Sequence, residues 1–315
     1  MFERTDLTAT LVEVAHLYFE ENLSQQEIAD RLGVSRSLIA LYIKKAREQG
    51  IVRIEIIDPK NNLDNLARRV AEKFKLANTH VTASAHNSVA LTRRALGNAV
   101  AHFLDERLHD GDVLGLGWGR TILEVVNLLA PARPRRVDVV PLLGESGYTG
   151  SYTQLNQIVL QAAKSFSGTP YFLLAPILVG TKELRDALMR DVVARQVVAL
   201  WERLTIACVG IGAVPPTEGQ VVYIGEENIP RLVAQDLVGD ICARYFTRRG
   251  DFPPFEFYDR ILGVDLEQLR QARIVVAVAG GAEKATAVRA ALRTGLISAL
   301  FVDEALAQIL LMDED

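Results

Sequence analysis

VLGLGWGRTILEVVNLL, residues 113–129, runs from a short apolar segment through three alternating glycines into a helical pattern. VLGLG reads as a strand, RTILEVVNLL as the helix that follows, and the turn between them contains Gly115, Gly117, Gly119, Arg120 and Thr121. Glycine lets a backbone approach a ligand closely, and a helix starting at such a turn aims its first N–H groups at an anion. The spacing is not GxGxxG, so a dinucleotide site is disfavoured. A tight turn without a ligand is the alternative on this stretch alone.

The alternation continues outward. VDVVPLL, TPYFLL, LTIACVGIG, VVYI, RIVVAVAG and ISALFV read as strands, and YTQLNQIVLQAA, KATAVRAALR and DEALAQILL as helices. Short apolar strands between helices predict an α/β domain with a mostly parallel sheet covered on both faces. NLARRVAEKF and SVALTRRALGNAVAHFLDERL, ahead of it, are amphipathic helices. A second glycine turn, Gly280-Gly281, ends a strand and places Lys284 in the first helical turn. Cations are disfavoured at a helix N-terminus, so a lysine there points to a bound anion. Asp240, in GDIC, is a candidate acceptor for sugar hydroxyls, or a plain helix-start acid.

Residues 24–47, SQQEIADRLGVSRSLIALYIKKAR, have a helix-turn-helix layout. Ser24 with Glu27 forms a capping-box pattern, Gly33 suits the turn, and a second helix starts at Ser35. That helix carries Arg36, Lys44, Lys45 and Arg47 and no acid to residue 47, although residues 1–58 hold seven Lys/Arg against ten Asp/Glu. Positive charge is thus concentrated on the element that would enter a major groove. Ser24, Gln25, Ser35, Arg36, Ser37, Lys44 and Lys45 are the candidate DNA contacts, and a three-helix bundle with a solvated basic face is the alternative. IVRIEI follows like a short wing. The expected division is 1–57 for this domain, 58–62 (DPKNN) for a linker and 63–315 for the larger domain.

Composition bounds the rest. A chain of 315 residues is long for one core, and 49% hydrophobic with 23% charged residues excludes extended disorder. A net charge of −4 provides no global pull toward nucleic acid, so contact must be local. All five histidines, His16, His80, His86, His102 and His109, precede residue 110, leaving the later loops without the commonest general base. His102 and His109, seven apart, are expected on one helix face. Carboxylates at the loops, Glu145 and Asp240, leave acid–base chemistry open, but no catalytic residue is assigned. Cys208 and Cys242 sit in apolar runs as buried thiols, and no spacing suggests a metal or a cofactor. The start lacks a signal-peptide pattern and no apolar run is of membrane length, so a cytoplasmic protein is expected.

These pieces together resemble the SorC family of bacterial sugar-responsive transcriptional regulators. LSQQEIADRLGVSR, GIVRIEI, GLGWGRT, CVGIGAV, VGDICARYF and AGGAEKATAVRAALRTGLISALFVDEALAQILL carry the likeness, across nearly the whole chain. The resemblance implies an effector domain similar to sugar-phosphate isomerases and deaminases but used for sensing. It also implies operator DNA as partner, a homo-oligomer (dimer or tetramer), and most simply a repressor of a carbohydrate-utilisation operon. By that likeness Gly117, Gly119, Arg120 and Thr121 would lie against the effector's phosphate. Lys284, after Gly280 and Gly281, would pair with the same charge, and Asp240 would accept from a sugar hydroxyl. The alternative is an isomerase- or deaminase-like enzyme with an appended DNA domain. Two features depart from the family. Ile39-Ala40-Leu41-Tyr42 replaces its usual Val-Ser-Arg-Leu, with Tyr42 expected to pack, and 137–150 has no lysine for covalent capture of a sugar.

Overall fold

A computed structural model describes residues 7–52, 63–85, 88–147, 154–216, 218–255 and 257–312. The chain divides into two compact units, 1–60 and 61–315. Among the described residues no helix is long and apolar enough to cross a membrane, and no cluster of His, Cys, Asp or Glu could hold a metal ion.

In the first unit α1 (Leu7–Ala15) runs into a wider turn, His16–Glu20, followed by α2 (Gln25–Leu32) and α3 (Arg36–Glu48). Ser24 accepts from the Glu27 N–H while the Glu27 side chain accepts from the Ser24 N–H, closing the capping box that fixes the start of α2. Gly33, at φ +67°, ends α2 in the left-handed conformation and turns the chain toward α3. Val14, Leu17, Ile28, Ala29, Ile39 and Ile43 form the core, with Tyr42 packed against it. The wing strand from Arg53 onward and the 58–62 linker lie outside the described residues; Ile51 and Val52 pack against the cluster of Leu11, Ala15 and Ala46.

The second unit contains, in order, α4 (Leu63–Phe74), β1 (Asn78–Thr82), α5 (Val89–Arg107), β2 (Val113–Leu116), α6 (Arg120–Asn127) and β3 (Asp138–Pro141). Then come α7 (Leu155–Phe166), β4 (Thr169–Pro170), α8 (Lys182–Met189), α9 (Val192–Trp201), β5 (Ile206–Gly210), β6 (Gly212–Ala213), α10 (Glu218–Ile224) and α11 (Ile229–Ala234). β7 (Leu237–Ile241), β8 (Arg244–Thr247), α12 (Leu266–Gln271), β9 (Ile274–Ala279), α13 (Ala285–Arg293), β10 (Ala299–Asp303) and α14 (Glu304–Leu311) complete it.

Seven strands form one sheet in the order β1-β10-β9-β5-β2-β3-β4, every pairing parallel. After β1 on one edge the chain crosses to mid-sheet at β2, walks outward through β3 and β4, then returns to the other side of β2 as β5 and continues through β9 to β10, beside β1. The direction of winding reverses between β2 and β5, and ligands of open α/β sheets bind at that crevice, outside the carboxyl ends of the strands. The central strands are buried on both faces. Gly115 is a packing glycine, since a Cβ there would lie 2.5 Å from Leu142 Cδ2.

Several expectations need correction. VVYI is the end of helix α10; a four-residue apolar run has no period by which to tell the two apart. TPYFLL pairs only at Thr169–Pro170, on the sheet edge. VGDICARYF forms an antiparallel hairpin in a second, three-stranded sheet, β6-β7-β8, so Asp240 is a mid-strand residue and starts no helix. His109 lies past the end of α5, 3.7 Å from Asp112, and shares no helix face with His102. Cys208 and Cys242, by contrast, are the buried free thiols expected.

Candidate ligand site and DNA interface

Two loops converge on the carboxyl end of β5. After β2, the Gly117 N–H donates to the Cys208 carbonyl (2.9 Å), and Gly119 (φ +131°, ψ 161°) starts α6 from a backbone region essentially closed to other residues. Arg120 and Thr121 are then the first residues of that helix, whose opening N–H groups have no partners within it. After β9, Gly281 (φ +101°) donates its N–H to Asp303 Oδ2 (2.6 Å), and a Cβ on Gly280 would meet Leu96 Cδ1 at 2.8 Å. Lys284 closes the short turn 282–284 and reaches back to donate from Nζ to the Ile211 carbonyl (2.9 Å), just past β5. Cys208 and Ile211 are three residues apart, about 10 Å along an extended chain. The glycine loops therefore flank the β2/β5 crevice from both sides.

The second sheet adds the carboxylate. Asp240 pairs with Gly212 on β6; its Oδ1 accepts from Gln220 Nε2 (2.6 Å) and its Oδ2 from the Ala243 N–H (3.0 Å). Burial pushes this carboxyl up to about 6, against the opposing pull of the Ala243 N–H, the Lys284 ammonium and the Gln220 amide. Burial lowers the pKa of Lys284, and Asp240 works in the other direction. The lysine that defies the helix dipole therefore already faces an internal anion. Cys242 and Ala243, the hairpin turn, both have positive φ (51° and 58°), a strained conformation for residues other than glycine. That turn aims the Ala243 N–H at Asp240.

Gln220, Tyr223, Tyr245 and Trp118 belong to this neighbourhood and were missed. The Trp118 ring meets Tyr223 edge-on at 6.2 Å, and the Tyr223 and Tyr245 hydroxyls are 3.4 Å apart. Trp118 was visible inside the glycine loop, but Gln220 and Tyr223 sat in and beside the segment misread as a strand. Glu145 does not join them: its two oxygens accept from the Leu155 and Asn156 N–H groups and cap α7. Of the histidines, His80 stacks on Phe301 in β1, His16 and His102 lie on exposed helical surface near glutamates, and His86 is outside the described residues.

On the first unit, α3 exposes Arg36, Ser37, Ala40, Leu41 and Lys44. Ser24 and Ser35 are exposed with their Oγ atoms capping α2 and α3; Gln25 and Lys45 are half-buried. Arg47 turns back over the Phe19 ring (5.4 Å), away from this face. The residue overlooked here is Leu41, 45% exposed on the face that carries the basic side chains.

Residues 58–312 match the family model described as "Putative sugar-binding domain", and residues 18–53 one described as winged helix-turn-helix DNA-binding. The sorbitol operon regulator of Klebsiella pneumoniae is 30% identical over 313 residues, spanning 98% of this chain and 99% of that protein. The chain belongs to the SorC family. It is a DNA-binding transcriptional regulator with a sugar-binding domain. The crystal structure of full-length SorC from K. pneumoniae superposes with a TM-score of 0.83 at 29% identity, over 98% of this chain and 100% of that one. The deoxyribonucleoside regulator of Bacillus subtilis is 29% identical over 304 residues, 96% of this chain and 97% of that protein.

Proposed function

We propose that this regulator is a repressor of a carbohydrate-utilisation operon whose operator affinity is set by a phosphorylated sugar bound at the β2/β5 crevice. The effector's phosphate lies against Gly117, Gly119, Arg120 and Thr121 at the start of α6, facing Lys284 beyond Gly280 and Gly281. Asp240 accepts from a sugar hydroxyl. The observation that carries this reading is the meeting of the two glycine loops on β5, with Lys284 held 2.9 Å from the Ile211 carbonyl at the crevice. A helix N-terminus and an ammonium on opposite sides of one crevice suit a phosphate, and a buried carboxylate nearby suits a polyol.

The protein senses and does not turn over the sugar: its relatives are named regulators, and none of the described histidines stands at these loops. It acts in the cytoplasm as a dimer or tetramer, because one recognition helix reads only a few base pairs. Ser24, Gln25, Ser35, Arg36, Ser37, Lys44 and Lys45 form the operator contacts. The effector must bind the DNA-competent and DNA-incompetent states unequally; a coupling of about 1–3 kcal/mol shifts operator affinity roughly 5- to 150-fold.

A sugar-phosphate panel screened by thermal shift identifies the effector, since a ligand of the folded state raises its melting temperature. In a mobility-shift assay Lys284→Ala should keep operator binding and lose the effector response. A normal response by that variant would refute the site. Turnover of any panel sugar by the purified protein would instead favour the enzyme reading.

A further inference from the structure

On the other face of the hairpin that carries Asp240 lies a second polar cavity. Asp240 is cross-strand partner to Tyr245, and Ile241 to Arg244, so Arg244 points opposite to the Asp240–Tyr245 pair. Arg244 is only 7% exposed and lines a groove of about 590 Å³ with Lys182, Arg185, Tyr258 and Arg270. That volume is within the range of small-molecule sites.

The other cations of this groove have acidic partners: Lys182 with Asp259 (3.8 Å), Arg185 with Asp186 (2.9 Å), Arg270 with Glu267 (3.8 Å). Arg244 does not. Its guanidinium donates to the Tyr258 carbonyl (3.3 Å) and lies over the Tyr258 ring (5.6 Å), with no carboxylate within 4 Å among the described residues. The nearby Asp265 is engaged instead in capping α12, accepting from the Gln268 N–H (2.8 Å). Buried charges are normally paired, because an unpaired one forfeits its hydration without replacement. Burial weakens the hold of Arg244 on its proton, and the Arg185 charge adds to that effect.

We infer that this groove is a second oxyanion-binding site, separate from the strand-end crevice, in which Arg244 on the floor and Arg185 at the side hold a phosphate or carboxylate of a small metabolite. Phe252, Pro253, Pro254 and Leu266 supply apolar wall for the rest of such a ligand.

Isothermal titration of the full chain with pyrophosphate, and separately with citrate, tests this. In Lys284→Ala, which disables the crevice, one of the two anions should still bind at one per chain. Adding Arg244→Gln to that variant should weaken this binding at least about tenfold, the expectation for a lost charge-assisted hydrogen bond. Should Arg244→Gln fail to fold, Arg185→Gln in the same background should weaken it several-fold while leaving the melting temperature close to that of Lys284→Ala. Binding of neither anion to Lys284→Ala, or equal binding with Arg244 or Arg185 replaced, would overturn the inference. Because every arm carries Lys284→Ala, failure of this site leaves the effector reading standing.

Discussion

Asp240→Asn should make the ligand-free protein more stable, by an amount that grows with pH. The Asp240 carboxyl is raised from an ordinary 3.8 to about 6 by burial, so between those values the folded protein holds a proton that the unfolded chain has released. Stability then falls as pH rises through this window, and above about pH 6 the folded state bears the full difference. Two pKa units at 1.36 kcal/mol each make this about 3 kcal/mol at pH 7.5. Asparagine fits the same space, and a flipped Gln220 amide can offer it an acceptor while its own carbonyl takes the Ala243 N–H.

The Lys284 ammonium acts only on the ionised carboxylate and is already contained in the Asp240 shift, whereas a difference in packing between acid and amide does not change with pH. The pH dependence of the difference is therefore the cleaner quantity. With pKa values of 3.8 and about 6, the variant's advantage should widen by about 1–2 kcal/mol between pH 5 and pH 7.5. Urea unfolding followed by tryptophan fluorescence measures it, since both tryptophans, Trp118 and Trp201, belong to the second unit. A gap that stays constant or narrows as pH rises would show that Asp240 is not held as a costly buried anion.

Other perturbations have simpler signs. Gly119→Ala meets no neighbour within 4 Å but must adopt φ +131°, so it should lose about 1–3 kcal/mol in urea unfolding through backbone strain alone. Leu41→Ala should leave the melting temperature nearly unchanged; if Leu41 packs on a thymine methyl, a mobility-shift series over single-base operator variants should lose about 1–3 kcal/mol of discrimination at one position. Arg36→Ala should weaken operators and random DNA alike, with the slope of log affinity against log salt reduced by about 1.

The sheet and the helix-turn-helix were legible because each depends on short-range signals. Ser24, Glu27 and Gly33 announce their cap and turn locally, and long apolar runs such as RIVVAVAG require a strand buried on two faces. The antiparallel hairpin was hidden for the opposite reason. Its turn is Cys242-Ala243, where sequence rules look for Asn-Gly, so VGDICARYF carried no hairpin signal. Gln220 was equally invisible. A lone glutamine has no motif, and it matters only because the fold brings α10 to within 2.6 Å of Asp240. Lys284 lies between these cases: its conflict with the helix dipole was visible, but the charge that offsets the conflict, Asp240, comes from another sheet.

That offset bears on how such a site works as a sensor. Without ligand, Asp240 and Lys284 hold charges that burial disfavours on both, and a strained two-residue turn holds the Ala243 N–H against the carboxylate. The proposed site is thus assembled at a cost borne by the rest of the fold. Hydroxyls donated to Asp240 and an anion beside Lys284 would each relieve part of that cost. On the proposed reading the free energy gained on binding would be concentrated at Asp240 and Lys284, and only a difference in this gain between two conformations could change DNA affinity. Asp240→Asn and Lys284→Ala separate the two contributions. If both variants retained effector binding of wild-type strength, relief of these buried charges would not be its source.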